Sequence, residues 1–244
     1  MKEYYGALCT KVYESDKSVA NNKELDFYLS FANGKKVLEP MCGNGRMLIP
    51  FMQKGIDIEG FDMSEEMLKM CMEKGKKLDL EPIVSKQRIE DFISEEKYDL
   101  VMIPIGSFSL VPETLVDRSL QNMKSVLASD GKLLITIVTT PDEVEEIPEW
   151  LKTNELVIDE ELIKEYRKVH YKEDEKVLFI QLKYESIVDE QLVKTELMDF
   201  PIRVYGLGEF EDLLKRNGFK DVVIHTVKDG YGEGNVFQVF EISI

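Results

Sequence analysis

The chain has 244 residues, 43% apolar and 32% charged, which is the composition of a globular protein large enough to bury a core. With 31 basic and 47 acidic side chains, its net charge of -16 argues against a nucleic-acid partner, because phosphate backbones bind clustered Lys and Arg. The longest apolar runs, such as Leu133–Val138, are far shorter than the roughly 20 residues that span a bilayer, so no membrane partner is expected either.

The start of the chain and its few cysteines indicate a cytoplasmic protein. Residues 1–5 have no apolar segment after a basic start, so no secretory signal is predicted. Cys9, Cys42 and Cys71 are odd in number and lack CxxC spacing, which is typical of reduced thiols. With only two histidines in addition, no metal site is expected.

The first 140 residues alternate short apolar runs with amphipathic stretches, the pattern of βαβ units that build a parallel sheet. Predicted strands are Lys36–Glu39, Ile56–Phe61, Pro82–Ser85, Leu100–Ile103 and Lys132–Val138. Predicted helices are Arg46–Lys54, Ser64–Lys77 and Glu113–Leu127. Ser64 is expected to cap the second of these helices, and residues 129–131 to form a turn before the fifth strand.

The pattern changes after Thr140. An acidic, proline-bounded stretch comes first, and three long antiparallel strands are predicted at Leu162–Tyr171, Lys176–Val188 and Gln191–Tyr205. A helix at Gly208–Asn217 and strands at Val222–Val227 and Val236–Ile242 would complete the main sheet.

These elements predict an α/β fold with a doubly wound, mostly parallel sheet of seven strands and an antiparallel insertion of three strands. The predicted domains are residues 1–140 with 206–244, which form a Rossmann-like unit, and the insertion at 141–205.

The most informative stretch is residues 37–46, VLEPMCGNGR, where a strand ends in Glu39 and leads into a glycine turn before a helix. Gly43 and Gly45 let the backbone approach a ligand closely. The next strand ends in Asp62, 23 residues after Glu39, where a carboxylate can accept hydrogen bonds from ribose hydroxyls. This order of a strand, a glycine turn, a helix, a second strand and an acid predicts a nucleoside-binding site.

The candidate nucleosides are NAD and S-adenosylmethionine (SAM). Leu48 stands where the dinucleotide fingerprint has its third glycine, and no Tyr-x-x-x-Lys is evident, so an NAD-dependent oxidoreductase is disfavoured. SAM has no pyrophosphate, and its ammonium and sulfonium groups favour a nearby acid such as Glu39.

These motifs resemble those of the class I SAM-dependent methyltransferases, whose first motif is acid-x-Gly-x-Gly-x-Gly and whose second ends in the ribose-binding acid. The chain departs from the family at Met41, which replaces the first glycine, and at Arg88, which stands where an acid usually recognises adenine. The resemblance implies that Ile89 packs on the adenine ring and that Ile103 and Pro104 border the cofactor.

The resemblance covers the whole chain and is nearest to small-molecule N-methyltransferases that act on amino sugars and glycine. In that group an antiparallel element roofs the active site, which implies this role for Leu162–Tyr205. A tyrosine-bearing N-terminal lid lines the methyl end of the cofactor, which implies this role for Tyr5 and Tyr13. The residues expected to bind the cofactor are Tyr13, Glu39, Pro40, Met41, Gly43, Gly45, Asp62, Met63, Arg88, Ile89, Ile103 and Pro104.

The function predicted on this basis is SAM-dependent transfer of a methyl group to a small molecule, an amine by preference, with S-adenosylhomocysteine (SAH) as product. Methyl transfer from a sulfonium needs alignment more than a base, so no catalytic residue is assigned; Tyr5, Tyr13 and His170 are the candidates. The alternative is a non-catalytic nucleoside-binding protein with a methyltransferase fold, suggested by Met41 and Arg88. A monomer and a homodimer are both compatible with the sequence.

Overall fold

The computed structural model describes residues 5–141 and 143–243, which form two sheets and six α-helices. The helices are α1 (Ala7–Asp16), α2 (Asn22–Ala32), α3 (Leu48–Gln53), α4 (Glu65–Lys77), α5 (Glu113–Ser125) and α6 (Leu207–Arg216). The main sheet contains β1 (Lys36–Pro40), β2 (Asp57–Asp62), β3 (Ile83–Lys86), β4 (Tyr98–Ile103), β5 (Leu127–Thr136), β10 (Val222–Lys228) and β11 (Val236–Ser243). The second sheet contains β6 (Ile147–Ile158), β7 (Glu161–Lys172), β8 (Val177–Val188) and β9 (Gln191–Arg203).

The main sheet confirms the predicted doubly wound fold. Its strand order is β10-β11-β5-β4-β1-β2-β3, and β11 runs antiparallel to both of its neighbours while β1 to β5 pair in parallel. The central strands are apolar on both faces because helices cover them, as in β4, where Leu100, Val101, Met102 and Ile103 are all buried. Because β1 and β2 pair in register, Glu39 and Asp62 both lie at the carboxyl edge of the sheet.

The insertion has four strands rather than the three predicted. The additional strand, β6, lies at the edge of the second sheet, and most of its side chains are exposed, so it lacks the apolar alternation by which a strand is recognised. It also contains Pro148, which an edge strand tolerates because one side of its backbone needs no ladder partner. Positive φ angles at Asp159 and Glu160 and at Asp189 and Glu190 close two of its hairpins.

Three further differences concern local structure. Helices α1 and α2 were not predicted. The fifth strand begins at Leu127 rather than Lys132, because the expected turn is absorbed as a bulge: Leu127 pairs with Tyr98, and Lys132 pairs with Leu100. Helix α3 begins at Leu48, since residues 43–47 form the turn before it.

None of the helices in the described part of the chain combines the length and the apolar character that crossing a membrane requires.

Candidate active site

A cleft opens at the carboxyl edge of the main sheet, and most of the residues predicted to bind the cofactor line it. We call it the main cleft. The predicted residues that line it are Tyr5, Tyr13, Glu39, Met41, Gly43, Asp62, Met63, Arg88, Ile89 and Pro104. Residues that line it and were not predicted to bind the cofactor include Asn44, Arg46, Glu90, Ile105, Ser107 and Leu110.

Three predicted residues, Pro40, Gly45 and Ile103, are buried beside the main cleft and do not line it. Gly45 serves packing: its φ is 72°, and a Cβ there would lie 2.5 Å from the Sγ of Cys71 on α4. Ile103 is fully buried in the core beneath the cleft. The assignment of these three residues to cofactor contact stays a prediction.

The turn after β1 is held by backbone bonds and left-handed conformations. The Cys42 N–H donates to the Phe61 carbonyl on β2 (3.0 Å), and the Gly45 N–H donates to the Cys42 carbonyl (3.0 Å). Met41 has a φ of 59°, so it adopts the left-handed conformation that a glycine at this position would adopt without strain. The replacement of the family glycine therefore costs backbone energy but leaves the turn intact.

Glu39 is the buried acid of the main cleft. Only 2% of its surface is exposed, and its Oε2 has no hydrogen-bond partner. Burial raises the pKa of this carboxyl well above its usual range, and nearby Arg46 opposes that rise. A cationic group placed in the cleft beside Oε2 would satisfy the unpaired oxygen and favour the ionised form.

Asp62 is half-buried; it holds the turn through backbone hydrogen bonds and also lines the main cleft. The Gly43 N–H donates to its Oδ2 (3.0 Å) and the Ser64 N–H donates to its Oδ1 (2.8 Å). Burial raises the pKa of Asp62, whereas these backbone donors oppose the rise. Each carboxylate oxygen keeps a lone pair that can accept a further hydrogen bond, as from a hydroxyl of a ligand.

A buried ion pair lies beside Glu39 and was not predicted. Arg46, in the turn before α3, hydrogen-bonds to Glu24 of α2, while the Nε and Nη1 of Arg46 and the Oε1 of Glu24 have no partner. Burial raises the pKa of Glu24, and Arg46 opposes this shift. The sequence signal was weak, because Glu24 and Arg46 lie 22 positions apart and nothing in α2 marks Glu24 as buried.

The segment after β3 forms the opposite side of the main cleft. Ile89 is buried against it, and the Gln87 N–H donates to the Asp62 carbonyl (3.0 Å). Arg88 is held by an ion pair with Glu90, a buried residue that also lines the cleft. Asp91 instead points away and pairs with Arg118 (3.0 Å). The main cleft therefore contains an acid, Glu90, beside Arg88.

Helix α1 borders the main cleft, and its Tyr13 is part of the lining. Glu196 of β9 accepts hydrogen bonds from the Leu8 and Cys9 N–H groups (3.0 Å each), which ties the first turn of the helix to the second sheet. At the other end, Glu14 accepts a hydrogen bond from the Asn44 amide (2.6 Å), which ties the helix to the glycine turn. Tyr5 and Tyr13 meet edge to face with ring centroids 5.8 Å apart, at the cleft.

The candidate bases differ in position and in proton affinity. His170 lies outside the main cleft on β7, with 64% of its side chain exposed, and pairs with Glu146 at 2.9 Å. Burial raises the pKa of Tyr13 to about 12 and raises that of Tyr5 as well. Both tyrosines are therefore protonated at neutral pH and can act as hydrogen-bond partners rather than as bases.

Comparison with known proteins agrees with this geometry. Residues 37–131, which include the glycine turn and both acids, match the family model described as "Methyltransferase domain". The chain carries a methyltransferase domain.

The similarity to individual proteins is distant in sequence and close in fold. The chain shares 28% identity over 127 residues with a ubiquinone biosynthesis O-methyltransferase of Actinobacillus pleuropneumoniae serotype 5b (strain L20), covering 48% of this chain and 53% of that protein. The chain thus spans about half the length of this curated relative. A SAM-dependent methyltransferase from Clostridium acetobutylicum ATCC 824 has the same fold, with a TM-score of 0.75, 16% identity and coverage of 96% of this chain and 97% of that one. The sugar N-methyltransferase KedS8 from Streptoalloteichus sp ATCC 53650 gives a TM-score of 0.74 at 14% identity, with coverage of 100% and 94%.

Proposed function

We propose that this protein binds SAM in the main cleft and transfers its methyl group to a small-molecule amine. The observation that carries the proposal is Glu39, a buried carboxylate with an unpaired oxygen, which faces the same cleft as Asp62. Glu39 would hold the ammonium of the methionine part and Asp62 the ribose hydroxyls. Met63 and Ile89 would lie against the adenine.

SAM supplies a methyl group on a positively charged sulfur, a good leaving group. The acceptor nitrogen would form a bond to the methyl carbon with its lone pair, while the carbon–sulfur bond breaks and its electrons stay on sulfur. The proton displaced from the nitrogen would pass to solvent. What the chain contributes is alignment and the exclusion of water by α1 and the tyrosines.

An amine acceptor is favoured over a hydroxyl because each acid of the main cleft already has another role here: Glu39 and Asp62 toward the cofactor, and Glu90 in the ion pair with Arg88. Among the described residues that line the main cleft there is no histidine, and the two tyrosines retain their protons at neutral pH. An amine needs only to arrive deprotonated, whereas a hydroxyl needs its proton removed as the bond forms. The N-methyl neighbour KedS8 supports the same choice, while the O-methyl relative supports the other.

The test is calorimetric titration of the purified chain with SAM and SAH, with NAD as control, followed by measurement of SAH formation with a panel of small amines and matched alcohols. We expect micromolar binding of SAM, no response to NAD, and turnover with amines. Binding of SAM without turnover by any acceptor would favour the non-catalytic alternative. Absence of SAM binding would refute the proposal.

A further inference from the structure

A second cavity lies between α1 and the inner face of the second sheet, and we call it the side cavity. Residues that line it include Tyr5, Cys9 and Tyr13 from the lid and Glu165, Arg167 and Tyr184 from β7 and β8. Tyr5 and Tyr13 also line the main cleft, so the two cavities meet at this tyrosine pair. A molecule in the side cavity would therefore approach the methyl end of a cofactor held by Glu39.

The sheet side of the side cavity carries apolar side chains such as Leu182 and Met198 together with two charged ones, Glu165 and Arg167. Arg167 pairs in register with Leu182, and Leu182 pairs with Met198, so the three side chains lie in one row across the inner face of the sheet. The Nε of Arg167 is buried and has no hydrogen-bond partner. Within residues 5–141 and 143–243, no carboxylate lies within ion-pair distance of its guanidinium.

This lack of a partner sets Arg167 apart from the other arginines that are not exposed. Arg46 pairs with Glu24, and Arg203 pairs with Glu113 at 2.9 Å. The chain has 47 acidic residues against 31 basic ones, so carboxylates to pair with an arginine are plentiful. A guanidinium is always charged, and leaving its buried N–H unpaired is costly unless a ligand completes it. The fork of N–H donors on an arginine fits the two oxygens of a carboxylate or a phosphate.

We propose that Arg167 binds an anionic group of the methyl acceptor, a carboxylate or a phosphoester, inside the side cavity. The inference rests on the proposed function, since it places the acceptor relative to SAM. The anion would anchor one end of the acceptor at β7, and its amine would reach past Tyr5 and Tyr13 to the methyl group. Glu165, two residues away on the same strand face, accepts a hydrogen bond from Thr153 (2.7 Å) and forms no ion pair with Arg167 among the described residues.

The first test measures anion binding without turnover. The thermal unfolding midpoint of the full chain is followed in inorganic phosphate and in acetate, at constant pH and ionic strength. We expect at least one anion to raise the midpoint of the wild type more than that of Arg167→Met, with Arg167→Gln as a second variant. Arg216→Met is the matched control, because Arg216 is exposed and outside both cavities. Equal shifts in the wild type and both Arg167 variants would overturn the proposal.

The second test measures which acceptors are methylated. Amino acids are compared with their amides, and phosphoethanolamine with ethanolamine, by SAH formation. We expect kcat/KM for the anionic member of a pair to fall about 10- to 100-fold in Arg167→Met, with little change for the neutral member and an unchanged Kd for SAM. An equal loss for both members would overturn the proposal, and the pair that responds tells a carboxylate from a phosphoester. Failure of the wild type to bind SAM would refute the proposed function, while the first test would still decide whether Arg167 binds anions.

Discussion

Glu39→Gln is the substitution that best separates a ligand-binding acid from a structural one. Glu39 has 2% of its surface exposed and an unpaired Oε2, and burial raises its pKa well above the usual range of a glutamate. If this carboxylate holds the SAM ammonium, the substitution removes a hydrogen bond between charged groups. Such a bond is worth about 1.5–3 kcal/mol, so the Kd for SAM should rise about 10- to 150-fold.

The same substitution should change how the stability of the ligand-free protein depends on pH. Because the folded pKa of Glu39 lies above the unfolded value, the folded state binds the proton more tightly, and the free energy of unfolding falls as the pH rises above about 4.5. The loss is at most about 1.4 kcal/mol per pH unit and ends when the pH passes the folded pKa. A glutamine side chain cannot ionise, so the stability of the variant relative to the wild type should increase steadily across this window.

Two measurements check these expectations. Calorimetric titration with SAM in buffers of different protonation enthalpy gives the affinity and the number of protons released, and we expect proton release from the wild type that is reduced in Glu39→Gln. Urea unfolding between about pH 4 and pH 8 gives the stability difference. Glu73→Gln is the control, because Glu73 is exposed on α4 and lies outside the main cleft. A Glu39→Gln protein that is folded and binds SAM with the affinity of the wild type would refute the reasoning.

Two further predictions concern the turn and the lid. In urea unfolding, Met41→Gly should be more stable than Met41→Ala by about 1 kcal/mol. Both variants lose the methionine side chain, but only glycine adopts the φ of 59° without backbone strain. A more stable Ala variant would contradict this. Glu196→Gln should weaken the attachment of α1 to the second sheet, since the carboxylate accepts from both Leu8 and Cys9 N–H groups. We expect faster amide hydrogen exchange in α1 and a several-fold faster release of SAM. Exchange rates equal to those of the wild type would speak against a role for Glu196 in holding α1.

The sequence by itself determined the main sheet and the centre of the site. The central parallel strands β1 and β4 are buried on both faces, so their apolar residues are visible without neighbours. Glu39 comes directly after the apolar pair of β1, and Asp62 comes directly after the buried Phe61 of β2. Because neighbouring parallel strands end at the same edge of a sheet, two acids at the ends of β1 and β2 had to lie close together. Local turn chemistry likewise indicated the glycine turn and the Ser64 cap, whose hydroxyl accepts from the Met67 N–H (3.2 Å).

Only the tertiary structure decided which other side chains share these cavities. Glu24 and Arg46 lie in separate elements, and Arg167 becomes a partly buried arginine without a partner only when α1 covers the second sheet. The edge strand β6 is mostly exposed and carries no apolar pattern, so its place in the second sheet depends on backbone bonds to β7. The physical reason is the same in each case: burial and pairing between distant segments depend on how the elements pack, and a residue's type and near neighbours do not encode that packing.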